Sequence, residues 1–266
     1  MNRIEEALAT SFEALKKRHL APVNAAVVDS GVDATHPDLR RHVAGAWKII
    51  PRDGQIKAIR VPKGRNNDVF GHGTGVAGII SKIAPNAQIF DIRVLRGDCS
   101  GSAAALLAGF QLAVEQGIRL INLSLTCLPQ FAPQLHALCE KADRQDLVVV
   151  AAKRNNPLED NGWPAELSSC ISVDRADFPS PYTLKFLKPP PVEFAARGHQ
   201  VITTAKGGGY CEMTGTSFAT PTVTGLCALL LGAYPDLRPF EIKTILKHAA
   251  LPHGVKARRR VGRFSA

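Results

Sequence analysis

The chain has 266 residues, of which 45% are hydrophobic and 21% are charged, a composition typical of soluble globular proteins. A chain of this length buries enough surface to fold without disulfide bonds, and no apolar run reaches the ~18 residues of a membrane span. The formal net charge of +10 suggests an anionic partner, but no nucleic-acid-binding motif accompanies it. We therefore interpret the charge as a basic surface.

Residues 1–22 are predicted to form an N-terminal leader helix that precedes a single domain over residues 23–266. Glutamates near its start and basic residues near its end suit the helix dipole. The segment has no apolar core of a secretory signal, so we expect a cytoplasmic protein. One face of the helix is apolar and is expected to pack on the domain, through Ile4, Leu8, Phe12 and Leu15.

The six cysteines are expected to be reduced thiols. None of them lies in a CxxC pair or at the spacing of a zinc site. For most of them, we favour the role of a small buried hydrophobic residue.

Short apolar strands alternate with helices along the rest of the chain, which predicts an α/β layered domain with a mainly parallel sheet. The polar stretch 48–68 is a loop or a hairpin, and the proline-rich stretch 178–191 is predicted to be a surface loop. The predicted strands are 25–28, 88–95, 120–125, 147–152, 171–173 and 192–204, and the predicted helices are 74–82, 100–116, 132–144, 222–233 and 239–249.

Three residues of complementary chemistry lie beside glycines at strand ends or helix starts: Asp29, His72 and Ser217. In a parallel sheet such positions converge on one crevice. A serine is a poor nucleophile at neutral pH, so His72 would take its proton and Asp29 would orient the imidazole. Each residue alone is more often a packing or capping residue, but a structural role for all three requires a triple coincidence in one order.

The sequences around these residues strengthen that interpretation. Residues 29–33 (DSGVD) resemble the aspartate motif of the subtilisin-like serine proteases, or subtilases. Residues 71–78 (GHGTGVAG) resemble their histidine motif, and residues 215–221 (GTSFATP) resemble their serine motif. The resemblance covers about residues 23–266. It implies a three-layer subtilisin-like α/β fold, with helices on both sides of the sheet, and a serine endopeptidase that forms an acyl-enzyme.

The family also has an asparagine that stabilises the oxyanion after a buried strand. Asn155 best matches that position and would act with the backbone N–H of Ser217, while Asn156 is the alternative. Lys153 and Arg154 depart from the small residues of the family and bring bulk and charge to the oxyanion site.

The resemblance further implies two rails that pair with the substrate backbone. One rail is Ser100, Gly101 and Ser102, and the other is Leu123, Ser124 and Leu125.

Gly162, followed by Trp163-Pro164 with a cis bond in relatives, matches the floor of the pocket for the residue before the scissile bond. Thr126-Cys127 replaces residues that are commonly glycines in the family, which narrows this pocket. Glu159 and Asp160 leave open a preference for a basic substrate residue, although we favour an exposed acidic loop.

The segment between His72 and the next strand is too short for the calcium-binding loop of many secreted relatives, so no metal and no other cofactor is expected. The expected partner is a peptide or protein substrate, without nucleic acid or membrane, and the oligomeric state stays open. Two alternatives remain, a peptide ligase or macrocyclase of the same fold and a catalytically inactive subtilase-fold binding protein.

Overall fold

The computed structural model describes residues 3–52, 55–156 and 160–250. Eleven strands and seven α-helices are assigned within these ranges. The strands are β1 (Val23–Asp29), β2 (Val43–Arg52), β3 (Gln55–Val61), β4 (Ala87–Arg93), β5 (Leu120–Leu123), β6 (Val148–Ala152), β7 (Ile171–Ala176), β8 (Leu184–Phe186), β9 (Phe194–Arg197), β10 (Val201–Thr204) and β11 (Tyr210–Met213). The helices are α1 (Arg3–Ala9), α2 (Phe12–Lys16), α3 (His72–Ile83), α4 (Ala103–Glu115), α5 (Ala132–Arg144), α6 (Thr216–Ala233) and α7 (Pro239–Ala249).

A central sheet orders nine of the described strands as β3-β2-β4-β1-β5-β6-β7-β9-β8. The inner pairs are parallel, and the pair at each edge is antiparallel. Strands β5 and β6 are buried at every position, as expected for parallel strands covered on both faces. The predicted α/β class with a mainly parallel sheet is therefore confirmed.

Helices cover both faces of the sheet and complete three layers. On one face α1, α2, α3, α6 and α7 contribute to one apolar cluster, and on the other α4 and α5 contribute to a second. Helix α6 is apolar nearly all round because it crosses the interior of its layer. Within the described ranges it alone has the length and composition of a membrane span, and 89% of it is buried inside the protein.

The predicted leader helix is two short helices, α1 and α2, that meet at Thr10 and Ser11. The serine explains the break, because its Oγ accepts a hydrogen bond from the backbone N–H of Ala14 at 3.2 Å and caps the second helix. Both helices pack into the domain, since Ala7, Phe12 and Leu15 belong to the apolar cluster on the α6 face.

Two further segments differ from the sequence-based expectation or resolve it. The stretch 48–68 contains part of a hairpin, in which β2 and β3 pair in antiparallel register. The stretch 178–191 contains the edge strand β8, because Leu184 is buried against the sheet although prolines surround it.

Replacing Leu15 with alanine should lower the free energy of unfolding by about 2–5 kcal/mol, because the side chain is fully buried and its loss leaves a cavity. Urea unfolding would measure the change. Glu13→Ala, on the exposed face of the same helix, is the control and should stay within about 0.5 kcal/mol of wild type. Equal effects of the two substitutions would contradict the packing of this helix on the core.

Candidate active site

Asp29 lies at the carboxyl end of β1, in the middle of the sheet, and is fully buried. Its backbone carbonyl accepts hydrogen bonds from the N–H groups of Val94 and Leu95, at 2.8 and 3.2 Å. These bonds link the end of β1 to the segment that follows β4. The N–H of Ser30 donates to Oδ1 at 2.7 Å. The carboxylate is thus held in place and desolvated.

His72 is the first residue of α3 and directs its ring towards Asp29. Its Nδ1 lies 2.8 Å from Oδ1 and 2.9 Å from Oδ2 of that carboxylate. The glycine on either side makes the approach sterically possible. Gly71 has a φ of +119°, and a Cβ on Gly73 would lie 2.2 Å from the carbonyl oxygen of Gly31.

A second buried carboxylate, Asp68, fastens this arrangement. Its Oδ1 accepts from the hydroxyl of Ser30 at 2.8 Å and from the N–H groups of Phe70 and Gly71, at 2.9 and 2.8 Å. Its Oδ2 accepts from the N–H of Thr74 at 3.0 Å and from the hydroxyl of the same residue. Asp68 therefore joins the end of β1 to the start of α3.

Sequence reasoning missed Asp68, because it assigned the residue to a polar loop. The signal that could have revealed it is a carboxylate a few residues before a helix that lacks a side-chain cap of its own.

The surroundings of His72 change its pKa. Burial lowers the pKa, but the charge of Asp29, the hydrogen bond that His72 donates to that carboxylate and the charge of Asp68 outweigh burial. The net result is a pKa above the ordinary value of 6.5.

Ser217 is the second residue of α6 and lines the same cleft as His72. Its hydroxyl donates to the carbonyl oxygen of Ser124 at 2.9 Å, and the hydroxyl of Ser124 donates to the carbonyl of Ser217 at 2.9 Å. Within the described part of the chain no hydrogen bond joins Ser217 to His72. The Ser217 hydroxyl therefore lies in one cleft with His72 but is bonded to the carbonyl of Ser124.

Asn155 follows β6 and lies beside the start of α6. Its Oδ1 accepts from the N–H of Thr216 at 2.9 Å and from the Thr216 hydroxyl at 3.3 Å. Together with Asn156 and Ser217 it lines a depression next to the cleft. The amide oxygen is thus used by the helix start, and the amide nitrogen is the group left to meet a ligand.

The predicted substrate residues have different surroundings. Gly101, Ser102, Ser124 and Leu125 line the cleft with the histidine and serine. The side chain of Ser100 instead donates to the carboxylate of its neighbour Asp98 at 2.6 Å.

Two of the predicted substrate residues lie behind the cleft wall. Leu123 is fully buried in the core. Gly162 has a φ of +90° and packs so closely that a Cβ there would lie 2.7 Å from Cγ2 of Thr126. The following Trp163-Pro164 bond is cis, as expected.

The two charged residues that precede Asn155 form ion pairs. Nζ of Lys153 lies 2.7 Å from Asp174, and Nη2 of Arg154 lies 3.1 Å from Asp160. The charge of Asp160 is thus balanced by that of Arg154, and Asp160 is not part of an exposed acidic loop. Glu159, the other carboxylate considered for substrate selection, lies outside the described residues.

A serine hydroxyl shares one cleft with an imidazole that is bound to a buried carboxylate. This arrangement is typical of serine hydrolases that act through an acyl-enzyme. Comparisons with known proteins specify the family. The family model described as the subtilase family matches residues 23–263. Subtilisin DY from Bacillus licheniformis is 30% identical over 243 residues, which cover 86% of this chain and 84% of the relative.

The intracellular serine protease of Paenibacillus polymyxa is 32% identical over 223 residues, which cover 78% of this chain and 66% of the relative. Among solved structures, Sphericase superposes with a TM-score of 0.74 at 24% identity, covering 89% of this chain and 88% of its own. A cold-adapted subtilisin-like serine proteinase gives 0.69 at 26% identity, covering 87% and 83%.

The chain belongs to the subtilase family. It is a subtilisin-like serine endopeptidase, and its substrates are peptides or proteins.

Replacing Asp68 with asparagine should shift the acid limb of the kcat/KM–pH profile to lower pH. A histidine must be neutral to act as a base, and loss of a nearby negative charge lowers the raised pKa of His72. The wild-type midpoint should lie above 6.5. Hydrolysis of a peptide substrate across pH 5–9, a range of roughly two units on either side of a typical histidine pKa, measures both values.

Asp38→Asn is the matched control, because this exposed carboxylate is bonded to Tyr210 and not to the histidine. Its profile should match wild type. A shift of the Asp68 variant to higher pH, or equal shifts in both variants, would contradict the assigned influence of Asp68.

Proposed function

We propose that this endopeptidase hydrolyses peptide bonds with Ser217 as nucleophile, His72 as general base and Asp29 as the group that orients the imidazole. The observation that carries the assignment is the contact of His72 Nδ1 with both oxygens of the buried Asp29 carboxylate, in the cleft that Ser217 lines. A carboxylate in this position favours the tautomer with its proton on Nδ1, which leaves Nε2 as the acceptor.

The reaction begins when the Ser217 hydroxyl leaves the Ser124 carbonyl and turns to Nε2 of His72. Oγ then attacks the carbonyl carbon of the substrate while its proton passes to Nε2. Nε2 returns that proton to the departing amine as the C–N bond breaks, and an acyl-enzyme remains. Water then attacks the ester carbonyl while its proton passes to the same nitrogen, and Nε2 returns that proton to Oγ as the C–O bond breaks and the acid fragment leaves.

We assign oxyanion stabilisation to the side-chain amide of Asn155 and the backbone N–H of Ser217. Asn155 supports this role because its oxygen is held by Thr216 at 2.9 Å, which fixes the orientation of the whole amide. The Ser217 N–H lies in the first turn of α6, where helical N–H groups lack partners within the helix. Donors fixed in this way stabilise charge as it develops, without reorganisation during the reaction.

We also propose that the protein acts in the cytoplasm. One relative is named an intracellular serine protease, and none of the six cysteines of this chain forms a disulfide bond in the structure. Cell fractionation with an antibody would check the location, and recovery from the culture medium would contradict it. We propose neither a nucleic-acid nor a membrane partner, because net charge is the one sequence feature that suggests an anionic ligand, and the oligomeric state stays open.

Treatment with a fluorophosphonate should add one adduct to the wild-type protein and none to Ser217→Ala, because an activated serine attacks phosphorus while an ordinary one does not. Intact mass spectrometry measures both. A folded wild-type protein without an adduct would contradict the triad and favour the inactive binding protein. With a peptide substrate, hydrolysed fragments are the expected products, and joined peptides would instead indicate a ligase.

A further inference from the structure

Arg154 is part of the cleft wall beside Ser217. It lines both the main cleft and the adjoining depression beside Asn155, as do Leu125, Thr126 and Ser217. A peptide carbonyl positioned for attack by the serine therefore carries its side chain towards this guanidinium. This placement follows because Arg154 and Ser217 line both depressions.

The arginine is held rather than mobile. Its backbone N–H donates to the carbonyl of Asn161 at 2.6 Å, and Nη2 lies 3.1 Å from Oδ1 of Asp160 and 3.4 Å from the carbonyl of Cys127. Within the described residues its Nε is buried without a partner, and the side chain is 25% exposed. A guanidinium has five N–H donors, so these bonds leave donor capacity for a ligand.

The charged side chains that line the cleft beside Ser217 are basic. Of the described residues that line the cleft and the depression, the ionisable side chains other than thiols are His72, Lys153 and Arg154, and none is a carboxylate. Lys153 is paired with Asp174. Asp160, the partner of the arginine, does not line the cleft and also accepts the N–H of Gly162 at 2.8 Å. A substrate side chain in the cleft would therefore contact Arg154 before Asp160.

Two side chains of the cleft wall pack against Gly162. A Cβ placed on Gly162 would lie 2.7 Å from Cγ2 of Thr126 and 3.3 Å from Cβ of Arg154. Thr126 and Arg154 thus fill the space in front of Gly162. A substrate carboxylate that reaches this part of the wall would meet the guanidinium.

We propose that Arg154 makes this endopeptidase selective for aspartate or glutamate immediately before the scissile bond. The inference rests on the proposed function, since it concerns the substrate of the same site. Guanidinium and carboxylate form charge-assisted, commonly bidentate hydrogen bonds, which are stronger than bonds between neutral groups. Asp160 restrains the fork and partly offsets its charge, so its removal should increase the preference.

The test compares peptides that differ only in the residue before the cleaved bond: glutamate, glutamine, leucine, alanine or lysine. For wild type, kcat/KM for glutamate should exceed that for glutamine by roughly 10- to 100-fold, the size expected of a hydrogen bond to a charged group. Arg154→Ala should bring the glutamate-to-glutamine ratio close to one. Asp160→Asn should raise the ratio above wild type.

Arg18→Ala is the matched control, because it removes one ion-paired arginine near the N-terminus, and it should keep the wild-type ratio. Fluorophosphonate labelling counts active sites in every variant. A wild-type protein that is not labelled indicates failure of the proposed function. A labelled wild type with a ratio of one or less, or with a preference for alanine or lysine, would overturn the role of Arg154 even if its alanine variant fails to fold.

Discussion

The contact between the Asp29 carboxylate and the His72 ring is the constraint on which the site depends. One partner ends a buried strand and the other begins a helix, so the contact exists only if β1 and α3 approach within hydrogen-bond distance. The carbonyl of Gly31 leaves no space for a Cβ on Gly73, which shows how closely the two backbones pack. A charged group without water costs much free energy unless it is paired, and the imidazole supplies that pairing.

Asp68 extends the same constraint into the loop before α3. Its two oxygens accept bonds from both sides of the junction, and its charge adds to that of Asp29 in raising the pKa of His72. Asp68 thus contributes both to the structure of the site and to its electrostatics. The group that holds the helix in position also makes its first residue a stronger base.

The sequence was sufficient for the parts of this architecture that follow from local pattern. Apolar runs such as 148–152 predicted the parallel strands, and glycine-rich motifs predicted the class of enzyme. Contacts between distant segments could not be predicted from pattern. The ion pair of Arg154 with Asp160 and the Ser124 carbonyl as acceptor for Ser217 depend on how loops fold back over the sheet. The break at Ser11 was missed for a different reason, since a single capping hydroxyl outweighed a continuous apolar face.

The reciprocal bonds between Ser124 and Ser217 have a consequence for how catalysis starts. The carbonyl that accepts from the Ser217 hydroxyl belongs to a residue of the cleft, where an extended peptide would bind backbone acceptors. A substrate amide that binds this carbonyl would deprive the Ser217 hydroxyl of its acceptor and free it to donate to Nε2 of His72. Binding of a peptide in the cleft would thus free the Ser217 hydroxyl. In the empty enzyme the hydroxyl would stay bonded to the Ser124 carbonyl.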